Sequence, residues 1–135
     1  MATLRKESWK YVGSVALTGG ECLKLSAKDT LDIAGARTDV VFAVAAEACA
    51  AGNVTAQNIG VWPLRTGETV QMIASAAISA GARVEATTNG LIVTAAAKNA
   101  TGNTTVSYQL GYANEAAAAS GDVIDVICLV SEINV

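Results

Sequence analysis

Phe42-Ala43-Val44-Ala45-Ala46-Glu47-Ala48-Cys49-Ala50-Ala51-Gly52-Asn53-Val54 decides the reading of this chain, because the same phrase returns as Leu110-Gly111-Tyr112-Ala113-Asn114-Glu115-Ala116-Ala117-Ala118-Ala119-Ser120-Gly121-Asp122-Val123. Each copy runs an apolar strand, a glutamate, a row of small residues, a glycine, one polar residue and a new apolar strand. Aligned on Glu47 and Glu115, the second copy carries one extra residue, Ser120, and Val54 then matches Val123. One unit used twice favours a scaffold, since a catalytic site needs unlike residues converging at one place.

Working outward, short β-type runs are separated by glycine corners at regular spacing, the pattern of a sandwich or barrel. The expected strands are Tyr11 to Leu17, Cys22 to Leu25, Val40 to Ala45, Val54 to Gln57, Gly60 to Leu64, Val70 to Ile73, Arg83 to Ala86, Leu91 to Ala95, Val106 to Tyr112 and Val123 to Val130. The fold class is therefore all-β and mainly antiparallel, a compact β-barrel or β-sandwich. Alanine has the best intrinsic helix propensity, so Ala45 to Ala51, Ala74 to Ala80 and Ala113 to Ala119 are expected as short helical turns or small-residue loops. Asn99 to Thr105 has loop composition and reads as a mobile tip.

At 135 residues the chain suits one domain. The expected organisation is an N-terminal arm over residues 1–11 and a single β domain over 12–135, with the doubled block at about 40–57 and 108–126. Apolar residues reach 52% but aromatics only 4%, and the excess is alanine. At roughly 25 cal/mol per Å² of apolar area removed from water, such a core is thin for a lone monomer, and assembly is the natural remedy. No stretch approaches the roughly 20 unbroken apolar residues of a membrane helix, so no membrane is expected. The formal net charge is −3 and the basic residues are scattered apart from Arg5-Lys6, which argues against direct nucleic-acid binding. No apolar signal core follows the charged N-terminus, so export is not expected. Cys22, Cys49 and Cys128 match no metal or redox spacing and read as buried free thiols, with one disulfide left open. The sequons at Asn53, Asn99 and Asn103 then read as turns.

The chain has no histidine, which removes Ser-His-Asp and Cys-His catalysis and the commonest metal ligand. Its glycines fit neither the phosphate-cradling nor the dinucleotide pattern. No two carboxylates fall into a recognisable acid/base pair, and Asp122 and Asp125 lack the further ligands of a calcium loop. The expectation is no enzyme, no cofactor and no metal. Glu47 and Glu115 hold equivalent places in the copies; they read as caps or hydrogen-bond acceptors for exposed backbone amides, with a polar contact between subunits as the functional alternative. Trp62 and Tyr112 are expected in the core and Trp9 at an interface.

These phrases, with Ile78-Ser79-Ala80-Gly81-Ala82-Arg83-Val84 and Asn89-Gly90-Leu91-Ile92-Val93 between them, resemble a family of small capsid decoration proteins of tailed phages, also called cement or head-stabilising proteins, over roughly residues 12 to 130. Family members often carry an aromatic residue where this chain has Glu85. The resemblance implies a non-enzymatic β protein on the outer surface of the virion capsid, made in the host cytoplasm. It also implies binding to the expanded head, with the major capsid protein as partner, and self-association as a homo-oligomer, trimer favoured and dimer open. Leu4, Trp9, Tyr11, Glu47 and Glu115 are the expected contacts to capsid or neighbouring subunit. The rival is a carbohydrate- or receptor-binding β module displayed on a virion or cell surface, with Trp62, Pro63 and Arg65 as its site.

Overall fold

The structure, a computed structural model, describes residues 6–50, 57–95 and 106–134. Among these the chain is all-β: β1 (Glu7–Tyr11), β2 (Cys22–Ala27), β3 (Thr30–Ile33), β4 (Val41–Ala45), β5 (Gln57–Pro63), β6 (Thr69–Ile73), β7 (Arg83–Ala86), β8 (Ile92–Thr94), β9 (Val106–Ala113) and β10 (Val123–Asn134), with one 3-10 turn at Thr88–Gly90. Strands β1-β3-β2-β4-β5 close into a barrel, and β6-β10-β9-β7-β8 form a second sheet.

The duplication extends far beyond the quoted phrase. In the barrel, β4 lies between β2 and β5, and β1 pairs with β5; in the second sheet, β9 lies between β7 and β10, and β6 pairs with β10. Strand by strand, β1 to β5 correspond to β6 to β10. The connecting bonds repeat too. Gly20 N–H donates to the Ala45 carbonyl at 2.8 Å, as Gly81 does to Ala113 at 2.7 Å. Ala46 N–H donates to Gly60 at 2.9 Å, as Asn114 does to Asp125 at 2.8 Å. Leu17 and Cys49 exchange a pair of backbone bonds, and so do Ile78 and Ala117.

The repeats differ in how they close. Parallel pairing of β1 with β3, at Lys10↔Thr30 and Tyr11↔Leu31, seals the first around Tyr11, Leu23, Leu31, Ala43, Ala45, Ile59 and Val61. In the second, β6 and β8 meet only through the parallel bridge Ala74↔Ile92. The wall of the first repeat fills the opening: Cys22, Ala34, Val41 and Val44 join one core with Val70, Met72, Val84, Ile92, Leu110, Ile124, Val126 and Cys128. Gly20 abuts Ile73 at the end of β6, and Gly90, just before β8, abuts Cys22 and Ile33. An alanine-rich chain thus gains core by making one wall serve two interiors.

Several expectations are corrected. The arm over residues 1–11 does not extend past residue 6, because Glu7–Tyr11 is a barrel stave paired with both β5 and β3. The strand expected at Tyr11 to Leu17 ends at Tyr11, where the chain turns under the barrel and Tyr11 donates its hydroxyl proton to the Val15 carbonyl. Thr30–Ile33, which is not among the expected strands, is β3, reached through a tight turn in which Asp29 takes a φ of 59°. Val123 pairs with Ile73 as Asn58 pairs with Lys10, so Asn58 is its counterpart and not Val54. The first copy has the longer corner, 13 residues from Glu47 to Gly60 against 10 from Glu115 to Asp125. No helical turn forms over the described alanine runs; Cys49 and Ala117 are instead pinned into backbone bridges, so packing overrides propensity. As expected, all three cysteines are buried and none is in a disulfide. The loop at Asn99 to Thr105 and the sequon asparagines lie outside the described residues.

Candidate interaction surfaces

At one end of the barrel a hollow of about 510 Å³ is lined by Lys24, Leu25, Val40, Val41, Phe42 and Leu64, with Thr38 and Asp39. A β-bulge creates it. Leu23 pairs with Ala43 and Lys24 with Val41, leaving Phe42 with no opposite residue and turning its ring toward the barrel interior. There Phe42 meets Trp9, ring centroids 4.7 Å apart and tilted by 59°. The Trp9 indole N–H donates to Glu7 Oε1 at 3.1 Å, and Glu7 Oε2 accepts from Arg65 Nη2 at 3.3 Å. On the far side Asp39 holds the loop below Val40, accepting from the amides of Gly35 and Ala36 and pairing with Lys24 at 3.3 Å. Exposed ion pairs contribute only about 0–1 kcal/mol, so these set geometry more than stability. Leu25 and Val40 stand on the rim 52% and 55% exposed.

A second hollow, of about 620 Å³, lies on the barrel wall between Ser8, Trp9, Lys10, Lys28, Asp29, Thr30 and Asn58. Among the described residues neither Lys10 nor Lys28 takes part in an ion pair. The third surface is the outer face of the second sheet. One rung runs Thr69–Ile127–Tyr112–Arg83 across β6, β10, β9 and β7, with the Arg83 guanidinium 5.5 Å over the Tyr112 ring. Along β10, Val123, Ile127 and Leu129 are 51%, 38% and 44% exposed, while Ile124, Val126 and Cys128 point into the core. Near Val123 the Glu115 carboxylate accepts from the Asp125 amide and Asp122 accepts from the amides of Ala118 and Ala119.

The expected contact residues do not gather in one place. Leu4 lies outside the described residues. Trp9 is half-buried at the barrel end. Tyr11 is a correction: it is fully buried, and burial, with Asp32 nearby, pushes its hydroxyl up to about 12. Its ring fills the barrel and has no surface to offer. Glu47 and Glu115 are exposed and each accepts a backbone amide, Gly60 for Glu47 and Asp125 for Glu115. Leu25, Val40, Lys10, Lys28 and the β10 face went unread. The signal for β10 is present in the sequence: both phases of Val123–Leu129 are apolar apart from Asp125, which an antiparallel strand with one wet face does not need.

The three cysteine thiols are all held protonated. Burial, then proximity to Cys128, pushes the Cys22 thiol up; burial and Glu68 push Cys128 up to about 11; Cys49 is shifted the same way. Thiols held protonated are poor nucleophiles. Among the described residues no three metal-ligating side chains cluster.

No curated protein matches the chain. Among solved structures, the head fiber gp8.5 N base of bacteriophage phi29 is similar, with a TM-score of 0.66 at 19% identity over 97% of this chain and 100% of that one, a likeness of fold. A sequence model of phage cement proteins matches residues 8–128, which takes in every strand from β1 to the middle of β10. The chain belongs to the phage cement protein family.

Proposed function

We propose that this protein binds the outside of the expanded phage head, with the major capsid protein as its partner, and stabilises contacts between capsomers. The family gives it a structural, non-enzymatic role at the phage head; the outer surface, the capsomer contacts and synthesis in the host cytoplasm are the finer reading. The observation that carries it is the family match across both repeats. The barrel-end hollow supports it as the capsid-facing surface, because large aliphatic side chains left half in water on a hollow's rim mark a contact surface. Leu4, shortly before β1, and Trp9 belong to this contact. Glu47 and Glu115 are kept as polar contacts between subunits, in a homo-oligomer for which a trimer is favoured over a dimer.

The mechanism is mass action. A protein that binds only the expanded lattice stabilises it by RT ln(1 + [L]/Kd), about 2.7 kcal/mol per site at a hundredfold excess over Kd. The test is occupancy on expanded heads. Leu25→Glu with Val40→Glu puts carboxylates where apolar contacts are needed, and occupancy should fall at least about tenfold. Normal occupancy by a folded double variant refutes this surface. The carbohydrate-binding alternative rests on Trp62, whose ring packs against the core shared by the repeats, and no observation favours it.

A further inference from the structure

We propose that copies of this chain associate head to tail, the outer face of β10 in one copy seated on the Lys10–Lys28 hollow of the next. The inference rests on the self-association proposed above and is independent of capsid binding.

Charge is divided unevenly between the repeats. Up to Leu64, six basic residues (Arg5, Lys6, Lys10, Lys24, Lys28, Arg37) balance Glu7, Glu21, Asp29, Asp32, Asp39 and Glu47. From Arg65 onward, Glu68, Glu85, Glu115, Asp122, Asp125 and Glu132 face only Arg65, Arg83 and Lys98, so the whole net charge of −3 sits in the second repeat. Asp122 precedes Val123, Asp125 follows it by two residues on the same face of β10 and the Glu115 carboxylate accepts from the Asp125 amide, and among the described residues none of the three is in an ion pair. The first repeat offers the complement: two ammonium groups that, among the described residues, have no ion-pair partner stand beside one hollow, with Ser8, Thr30 and Asn58 as neutral polar neighbours and Asp29 as the opposing charge in its lining.

Register makes the match specific. The Lys10↔Asn58 rung of the barrel is the structural counterpart of the Ile73↔Val123 rung of the second sheet. One position therefore carries a cation and an amide in the first repeat and two aliphatic side chains with carboxylates nearby in the second. Among the described residues these surfaces form no ion pair within one chain, and every copy presents both. A contact between two different faces of one subunit is heterologous, so it propagates until a ring closes. The exposed Val123 and Ile127 supply apolar area at its centre, and the charges set orientation and association rate.

Light scattering on the purified full chain tests this. The wild type should give a multiple of 13.6 kDa at low salt and shift toward 13.6 kDa in about 1 M salt, where screening shortens to about 3 Å. Lys10→Glu with Lys28→Glu should give 13.6 kDa, and so should Asp125→Lys, chosen because Glu115 and Asp122 hold backbone amides. A wild type that is monomeric at every concentration overturns self-association itself. Variants that are folded by circular dichroism and stay assembled overturn this surface alone.

Discussion

Glu47 and Glu115 do the same work at equivalent points of the two repeats: each carboxylate reaches from the end of a strand to a backbone amide of the next one, Gly60 in β5 and Asp125 in β10, the latter at 2.9 Å. A hydrogen bond to a charged acceptor is worth about 1.5–3 kcal/mol when well shielded and less at an exposed site. Glu47→Ala and Glu115→Ala should each cost about 1 kcal/mol. The costs should add, because the sites lie in different repeats and share no partner. Thermal unfolding of the two single variants and the double variant checks both points, with the Gln variants closer to wild type.

Arg37 and Glu85 join the repeats through an ion pair at 3.3 Å in which Glu85 is buried. The charged residue at 85, where the family resemblance leads one to expect an aromatic, is thus matched by a cation from the loop after β3. Withdrawing one member of a buried pair costs about 3–5 kcal/mol, whereas replacing both with apolar groups is often neutral. Arg37→Ala should therefore lower the urea midpoint far more than the paired change Arg37→Leu with Glu85→Phe.

Alkaline pH should loosen the fold. Tyr11, Cys22, Cys49 and Cys128 are neutral when protonated, and burial holds each above its free value of 9.0 or 10.0. The native state keeps protons that the unfolded chain releases, so this stabilisation is whole below pH about 9 and is lost as pH rises through about 11 for Cys128 and about 12 for Tyr11. The melting temperature should be level from pH 7 to about 8.5 and then decline. Cys128→Ala should make that decline shallower.

Gly111 sits in β9 at a φ of 154°, and a Cβ there would run into the carbonyl of Ile127. The close approach of β9 and β10 around the Cys128↔Gly111 pair depends on its missing side chain. Gly111→Ala should cost about 2–4 kcal/mol, since the obstacle is backbone and cannot step aside. Denaturant unfolding measures it.

The fold class was readable because glycine corners and apolar runs carry a period of two, and Glu47 and Glu115 betrayed the duplication. What escaped reading was long-range. Thr30–Ile33 is short and carries Asp32, and it is a strand because it is held between β2 and β1, the second pairing sealing the barrel. As one of the few large aromatic residues and close to the N-terminus, Tyr11 reads as an arm contact, yet alternation along β1 turns Tyr11 inward and Lys10 outward. The shared wall of Cys22, Ala34, Val41 and Val44 leaves no mark in either repeat taken alone, since it exists only where two interiors meet.

That shared wall gives the polypeptide a direction in time. All five staves of the first barrel precede residue 64, so they can pair while the rest of the chain is still being synthesised. The later strands have no such freedom: their interior is completed only by a surface that must already exist. The first half is thus the template on which the second is cast, and damage to it, such as a charge at Val61 inside the barrel, should forfeit both halves, whereas damage to β8 should leave the earlier barrel standing.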